Sequence, residues 1–301
     1  MRRCIHFPDR PILPTWSIVS PFMLMAIAIL AALPTAHAQV TLTADGRTPA
    51  YTSIEKFFHA GPETPDCSHP QFGPHITEAM DNELGKSVFV LNMHVTPDND
   101  RCKNFDRQRL EIKAEGSSPD GLKGFLNDSM TYRWRFRLPE GFRPSEGFTH
   151  IHQIKAFDGD AGAPLITLTP RAGAPEHMQI IHIDSKGSNK TLTEVKLEPF
   201  IGQWVEAYEK VTYGPHGTYS LVIRRIKDGA ELLNYSTNDI DLWRKGTTVM
   251  RPKWGIYRSL KHPGDLRDEQ LRFDDFCIAK GKADCSTQLK TDRSPDQTHK
   301  D

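Results

Sequence analysis

Three short segments of the sequence carry the side chains best suited to acid–base chemistry. They are Arg109-x-Glu111-x-Lys113, His150-x-His152-Gln153-x-Lys155 and Lys253-x-Gly255-x-Tyr257-Arg258. Each lies in a run that reads as a β-strand, where alternate residues share a face. His150 and His152 should therefore point the same way, as should Lys253 and Tyr257. Gathered in one groove, cations, a carboxylate, imidazoles and a phenol would suit binding of an acidic sugar and proton transfer on it.

Taken singly, each segment also has a plainer structural explanation. Two strand histidines are often half-buried and hydrogen-bonded, and a metal site there would need a third ligand. A strand tyrosine commonly packs its ring, although nearby cations favour its ionised form. Glu111 between two cations is expected to be a salt-bridged support rather than an acid. Gln153 and Lys155 face away from the histidines unless a bulge intervenes.

The elements that must position these residues are mostly strands. The pattern predicts about a dozen, separated by turns rich in Gly, Pro, Asp and Asn, which indicates an all-β sandwich or jelly roll. A short helix is expected around 76–84 and a helical turn around 239–244. The predicted strands cover residues 87–95, 105–114, 130–138, 148–157, 164–170, 177–183, 204–213, 218–226, 231–236, 250–258 and 269–278.

Both ends of the chain fall outside this pattern. A basic start, an apolar run over 22–33 and the small-x-small site at Ala36-His37-Ala38 predict a signal peptide of residues 1–38. The apolar run is too short for a membrane span, which needs roughly 20 residues. We expect a loop-rich segment over 39–86, a jelly-roll domain over 87–285 and a disordered polar tail over 286–301. The protein is therefore expected to be secreted or periplasmic.

Charge and cysteine content narrow the function classes. The chain has 38 basic and 38 acidic residues, so no global basic field exists to bind nucleic acid. Four cysteines would remain after export, and three pairings of them are possible. We favour Cys67–Cys102 and Cys277–Cys285. A zinc site built on cysteines is disfavoured because no CxxC pair occurs.

Taken together and in this order, the three segments resemble the jelly-roll polysaccharide lyases. Family 7 alginate lyases have Arg-x-Glu-x-Arg, Gln-x-His and Lys-x-Gly-x-Tyr on three strands, and the stretches 106–113, 148–155 and 251–260 look most like the heparin-lyase-I-like group. The three segments also resemble those of the glucuronan lyases. The resemblance spans about residues 87–277. It implies an all-β, concanavalin-like jelly roll of two antiparallel sheets, with the charged strand faces on the concave side of one of them.

The resemblance also implies a reaction, the β-elimination of a uronic-acid-containing polysaccharide. It assigns proton transfer, in one or both steps, to Tyr257 and a base or carboxylate-neutralising role to His152. By residue type, Arg109, Gln153 and His150 are suited to stabilising the enolate-like intermediate. Sequence alone leaves open which of Tyr257 and His152 is the base. Substrate binding is expected of Glu111, Lys113, His150, Lys155, Lys253 and Arg258.

Two other functions are compatible with a sandwich fold. A glycoside hydrolase needs two carboxylates across the scissile bond, and Glu206 and Glu209 have opposite parity in their strand. A lectin-like protein would use aromatic platforms such as Trp134, Trp204 or Trp254. No cofactor is implied, and no metal site is predicted, although Asp98-Asn99-Asp100 and Asp158-Gly159-Asp160 could bind calcium. The expected partner is an acidic polysaccharide, with no nucleic acid or membrane, and the protein is expected to be a monomer.

Overall fold

The computed structural model describes residues 39–286. The predicted signal peptide, and all but the first residue of the predicted tail, lie outside the described residues. Residues 39–286 all belong to one structural unit. Within this range, no helix combines the length and apolar character that crossing a membrane requires.

Between residues 39 and 286 the secondary structure is dominated by fourteen strands. One α-helix, α1, spans Ala50–Phe58, and three short 3₁₀ helices span Asp120–Leu122, Glu198–Phe200 and Pro263–Asp265. The strands are β1 Val40–Leu42, β2 Ile76–Asp81, β3 Lys86–Met93, β4 Arg107–Lys113, β5 Ser129–Arg137, β6 Thr149–Ala156, β7 Ile166–Arg171, β8 His177–Ile183, β9 Asn189–Lys196, β10 Trp204–Thr212, β11 Gly217–Arg225, β12 Glu231–Ile240, β13 Met250–Ser259 and β14 Glu269–Lys280.

These strands form two antiparallel sheets packed face to face. The larger has the order β12-β11-β10-β5-β14-β3-β2, with β1 also paired to β14, and the smaller has the order β4-β13-β6-β7-β8-β9. All named strand pairs are antiparallel, and sequence neighbours such as β13 and β14 lie in different sheets. The predicted all-β jelly roll is confirmed.

The core lies between the sheets and follows the predicted alternation. In β5, Tyr132, Trp134 and Phe136 are fully buried, and Trp134 contacts Trp254 of the opposite sheet at 6.0 Å between ring centroids. Each fully buried large apolar side chain contributes about 1.5–3 kcal/mol to folding. The same alternation directs the neighbouring polar residues of each strand away from the core.

The segment before β3 is more ordered than its loop-like composition suggests. The helix α1 buries Ile54 and Phe58, one turn apart, and Phe58 reaches Trp254. Spacing of four residues places two side chains on one helix face, so this helix was detectable but is obscured by the surrounding Pro, Gly and His. The segment then forms a single backbone bridge to the edge strand β4, between Glu63 and Glu111.

Two local predictions of helix are wrong. Residues 76–81 form β2, because a turn ending at Gly85 brings them into register with β3. A hairpin partner supplied by the next residues outweighs weak local propensity. Residues 239–244 do not form a helical turn, since β12 continues to Ile240 and the following amide of Leu242 donates to the carbonyl of Gly214.

Both predicted disulfides are present. Cys67 pairs with Cys102, joining the segment before β2 to the loop before β4. Cys277 of β14 pairs with Cys285, closing a loop of 8 residues in sequence separation.

Candidate active site

The face of the small sheet that points away from the core carries most of the predicted site residues, and we call it the charged face. In β4 and β13, Leu110, Ile112, Trp254 and Ile256 belong to the core, so their neighbours point outward. Register places Tyr257 opposite Arg109, Gly255 opposite Glu111 and Lys253 opposite Lys113. Arg109, Glu111, Lys113, Lys253 and Tyr257 therefore share one face, as predicted.

An ion-pair network centred on Glu111 lies beneath this face. Glu111 accepts hydrogen bonds from Arg109 at 2.6 Å and Lys253 at 2.6 Å, and a short one from the amide of Gln153. Glu63 joins the network from the N-terminal segment and accepts from Lys253 and Lys113. All six side chains are buried, so this network has the geometry of a support for the groups above it.

The cations fix the protonation of both carboxylates in the network. Burial alone would favour the neutral acids, but Lys253 and Arg109 lower the pKa of Glu111. Lys253, Arg109 and Lys113 likewise bring the pKa of Glu63 well below its usual range, against the effect of its burial. Both groups are therefore ionised near neutral pH and hold no proton to donate.

Tyr257 is half-buried on the charged face and is held by two arginines. Arg107 donates a hydrogen bond to its hydroxyl at 3.0 Å, and the guanidinium of Arg109 lies 3.6 Å from the centroid of its ring. Arg109 is itself fixed by Asp100, which accepts from its Nε at 2.9 Å. The phenol is thus oriented from below and from the side, with partial exposure to solvent.

His150 is the imidazole next to Tyr257. The two rings are 5.9 Å apart between centroids, and register places the residues opposite each other. Nδ1 of His150 lies 2.8 Å from the hydroxyl of Thr169. Burial, reinforced by the positive charges of Arg171, Arg109 and Lys155 against the opposing effect of Glu111, lowers the pKa of His150 to about 3. His150 is therefore a neutral imidazole at ordinary pH.

His152 does not share this face, and the prediction that both histidines point the same way is wrong. Trp254 pairs with His152 and Tyr257 pairs with His150, so Gly255 and Ile256 of β13 oppose the single residue Ile151. This β-bulge breaks the alternation, and both Ile151 and His152 are buried. The same shift turns Gln153 outward, beside Lys253.

Gly255 makes the bulge possible. Its φ is +147°, a conformation that L-residues with side chains rarely adopt, and a Cβ atom there would overlap the carbonyl oxygen of Leu110. Only glycine combines this backbone geometry with such close approach to β4. The residue type at this position therefore decides which histidine faces outward.

His152 instead bridges the two sheets. Its Nδ1 lies 2.9 Å from the carbonyl of Lys253 and its Nε2 lies 2.9 Å from Glu209. Since a carbonyl can only accept, Nδ1 donates to the carbonyl of Lys253. Glu209 also accepts from the hydroxyl of Tyr219 at 2.9 Å. With its ring packed 4.5 Å from that of Trp134, His152 has no route to a polysaccharide.

The remaining predicted binding residues divide between the two faces. Lys155 is half-buried on the charged face, where burial and the charges of Lys253 and Arg109 lower its pKa to about 8. Its ammonium donates to the carbonyl of Gly162 at 2.6 Å. Arg258 points to the opposite side, is fully buried, and donates from Nε to Gln108 at 2.8 Å. It was expected to bind substrate, but in this position it supports β4.

Comparison with known proteins finds similar folds among solved structures but no matching sequence family. No protein-family model and no curated protein matches the chain. Among solved structures, the alginate lyase Aly36B is 9% identical with a TM-score of 0.52, covering 80% of this chain and 96% of that chain. The family 7 alginate lyase A1-II′, in complex with substrate, is 12% identical with a TM-score of 0.51, covering 74% of this chain and 92% of that chain. The endo-β-1,4-glucuronan lyase from the fungus Trichoderma reesei is 14% identical with a TM-score of 0.49, covering 68% and 86%. The fold is thus shared with jelly-roll polysaccharide lyases, as the sequence resemblance implied.

Sequence reasoning missed several residues of the charged face. Arg107 has the parity of Arg109 and could have been found from it, and Arg171 shares parity with Thr169 in β7. Nothing local to Glu63 marks it, because it reaches the site from a connecting segment. Within residues 39–286, neither Lys155 nor Arg171 has a carboxylate partner, which leaves two cations on the charged face without ion pairs.

Aspartates of the two loops considered for calcium accept hydrogen bonds from other side chains, and the tryptophans considered as sugar-binding platforms are buried. Asp100 accepts from Arg109, and Asp158 accepts from Thr247 and Thr248. Trp134, Trp204 and Trp254 are all fully buried, so none is available to stack on a sugar.

Proposed function

We propose that this chain is an exported polysaccharide lyase that cleaves a uronic-acid-containing polysaccharide by β-elimination. The observation that carries the proposal is the pairing of Tyr257 with the neutral imidazole of His150 on a face lined with cations. The fold supports it, because two solved structures that share this fold are alginate lyases by name.

In this proposal the two residues divide the proton transfers. The C5 proton beside the uronate carboxylate is weakly acidic, so a base and local positive charge are both needed to remove it. The imidazole of His150 takes that proton, and the hydroxyl of Tyr257 gives its proton to the C4-linked oxygen as the bond breaks. Arg107 orients the hydroxyl through its hydrogen bond, and Arg109 holds the ring in place.

The cations without ion pairs supply binding for the polymer. Lys155 and Arg171 lie on either side of His150 along β6 and β7, where a chain of uronates would meet them. A carboxylate next to such groups is stabilised in both the ground state and the enolate-like intermediate. Glu111, Lys253, Lys113 and Gln153 act below, as the support that fixes Arg109.

A hydrolase is disfavoured by the state of the carboxylates. Hydrolysis of a glycoside requires one protonated acid beside the leaving oxygen. Glu63, Glu111 and Asp100 are buried carboxylates bonded to the cations of this face, and all three have lowered pKa values. A lectin-like function is disfavoured by burial of the three tryptophans.

The two disulfides support export, since such bonds persist in oxidising compartments. The proposal therefore includes a secreted or periplasmic location. A monomeric state is also part of the proposal and rests on no separate observation.

The test is a screen of alginate, glucuronan, heparin and related glycans for a new ultraviolet absorbance. Elimination leaves a conjugated double bond in the product, whereas hydrolysis creates reducing ends without that absorbance. On the substrate found, Tyr257→Phe should lower kcat by about 10²–10⁴-fold with little loss of binding, because only the hydroxyl is removed. Tyr208→Phe is the matched control, since Tyr208 bonds Asp284 at the other sheet. Absence of unsaturated product from every uronate polymer would contradict the lyase proposal, and full activity of Tyr257→Phe would contradict the role of Tyr257.

A further inference from the structure

A cluster of three histidines and one aspartate lies outside the charged face. His69 and His75 come from the segment between α1 and β2, His94 follows β3, and Asp98 lies in the connection to β4. One ligand-type atom from each residue falls within 4.8 Å of all the others. His75 and Asp98 are fully or almost fully buried, so the cluster is not an exposed charge patch.

The distances inside the cluster match the edges of a metal coordination sphere. Oδ1 of Asp98 lies 3.2 Å from Nδ1 of His69 and 3.2 Å from Nε2 of His75, and Oδ2 lies 3.0 Å from Nδ1 of His94. A tetrahedral zinc site with bonds of about 2.0–2.1 Å has ligand atoms about 3.3 Å apart. The two contacts to Oδ1 are close to that length and the third is made by the other oxygen, so side-chain rotations would be needed to bring the three histidines around one ion.

The groups behind the cluster orient it for a metal. Asp66 lies 2.7 Å from Nδ1 of His75 and holds a proton on that nitrogen, so Nε2, which faces Asp98, is the nitrogen that would give up its proton to bind a metal. Tyr51 donates to the same carboxylate at 2.8 Å. The amide of His94 donates to Oδ2 of Asp98 at 2.7 Å. Metal-binding histidines almost always have a carboxylate or carbonyl on the second ring nitrogen.

We propose that His69, His75, His94 and Asp98 bind one structural transition-metal ion, with zinc as the ion their chemistry fits best. Imidazole donors suit zinc and its neighbours, whereas calcium takes only oxygen ligands. Four protein ligands fill a tetrahedral sphere, which is typical of structural rather than catalytic zinc.

The ion would fasten the N-terminal segment to the connection between β3 and β4. The disulfide Cys67–Cys102 already joins the same two stretches, so the ligands are held close before metal arrives. Asp98 stands two residues before Asp100, which fixes Arg109. Metal binding is nevertheless independent of the lyase proposal and is measured without any polysaccharide.

The experiment uses untagged protein stripped with a chelator and titrated with Zn²⁺ alone. We expect one Zn²⁺ per chain by elemental analysis after dialysis, a rise in Tm that saturates at one equivalent, and no such rise with Ca²⁺. His94→Ala should abolish stoichiometric binding. Asp66→Asn should weaken it by about 10–100-fold, as loss of an outer-shell partner does. His216→Ala is the matched control, because His216 forms an exposed pair with Asp239 and should bind Zn²⁺ as the wild type does.

Cobalt provides a readout that does not depend on variants that fold poorly. Co²⁺ bound to the wild-type chain should show the intense visible bands of tetrahedral coordination, and Zn²⁺ should displace it. The proposal is overturned if the wild-type chain retains no Zn²⁺, if Co²⁺ gives only the weak bands of a hydrated ion, or if folded His94→Ala binds Zn²⁺ with unchanged affinity.

Discussion

The most direct test of the site is a comparison of His150 and His152, two residues apart in sequence and on opposite faces of the sheet. His150→Ala removes the proposed base from a half-buried position. We expect kcat/KM to fall by about 10²–10⁴-fold, which corresponds to about 2.7–5.4 kcal/mol of transition-state stabilisation. Its unfolding free energy should change by much less, since among residues 39–286 the one side-chain hydrogen bond lost is that to Thr169.

His152→Ala should have the opposite profile. The side chains of His152 and Glu209 are both 0% exposed, and removal of His152 leaves Glu209 buried with the Tyr219 hydroxyl but without its imidazole partner. Such a loss costs about 3–5 kcal/mol, a large share of the roughly 5–15 kcal/mol that stabilises a domain. Adding Glu209→Gln should recover part of that stability, because the uncompensated carboxylate is gone.

The assays are guanidinium unfolding for stability and the initial rate of ultraviolet absorbance for activity, corrected for the folded fraction. The reasoning is refuted if His152→Ala is as stable as the wild type but inactive. It is equally refuted if His150→Ala keeps full activity, in which case Tyr257 would perform both proton transfers.

Three further perturbations test the surrounding structure. Because the pKa of Lys155 is lowered to about 8, its charge is lost as pH rises through that value, so KM should increase above pH 8 in a steady-state pH profile; Lys155→Arg should remove this increase. Gly255→Ala should lower Tm far more than Gly229→Ala, because both have positive φ but only Gly255 has a carbonyl where the Cβ would go; equal shifts in thermal unfolding would contradict the bulge argument. Arg109→Ala should raise KM, lower kcat and cost about 3–5 kcal/mol in denaturant unfolding, since it leaves buried carboxylates short of a partner; unchanged stability would show that the ion-pair network is not a support.

Strand periodicity was sufficient to predict the two-sheet fold and the outward face of β4 and β13. It placed Arg109, Glu111 and Tyr257 correctly because those two strands alternate without interruption along their shared register. The rule that alternate residues share a face failed at His152. It cannot detect that β13 carries one extra residue opposite β6 at this point. Gly255 was a sign of this bulge, because a glycine within a strand often marks one. It does not indicate with which neighbouring strand the register shifts.

Local sequence patterns could not predict contacts between residues that lie far apart in the chain. Glu63 contacts Lys253 across 190 positions of sequence, and no pattern around either residue indicates the other. The helix α1 and the strand β2 were misjudged for a related reason, since each is decided by what it packs against. The polar composition of residues 39–86 predicted loops and did not indicate that α1 and β2 form there.

The order of the strands has a consequence for how the chain folds. The last strand, β14, lies in the interior of the large sheet between β5 and β3, and β13 lies between β4 and β6 in the small one. Neither sheet can close until nearly all of the described chain has been synthesised, and contacts of such long sequence separation make folding slow.

The proposed proton-transfer residues, the supporting carboxylates and both sheets are therefore expected to assemble late in folding. A chain interrupted before β13 would present the unpaired edges of β4 and β6, which are templates for association with other chains. Shortened forms of this protein are expected to aggregate rather than to yield a smaller active unit.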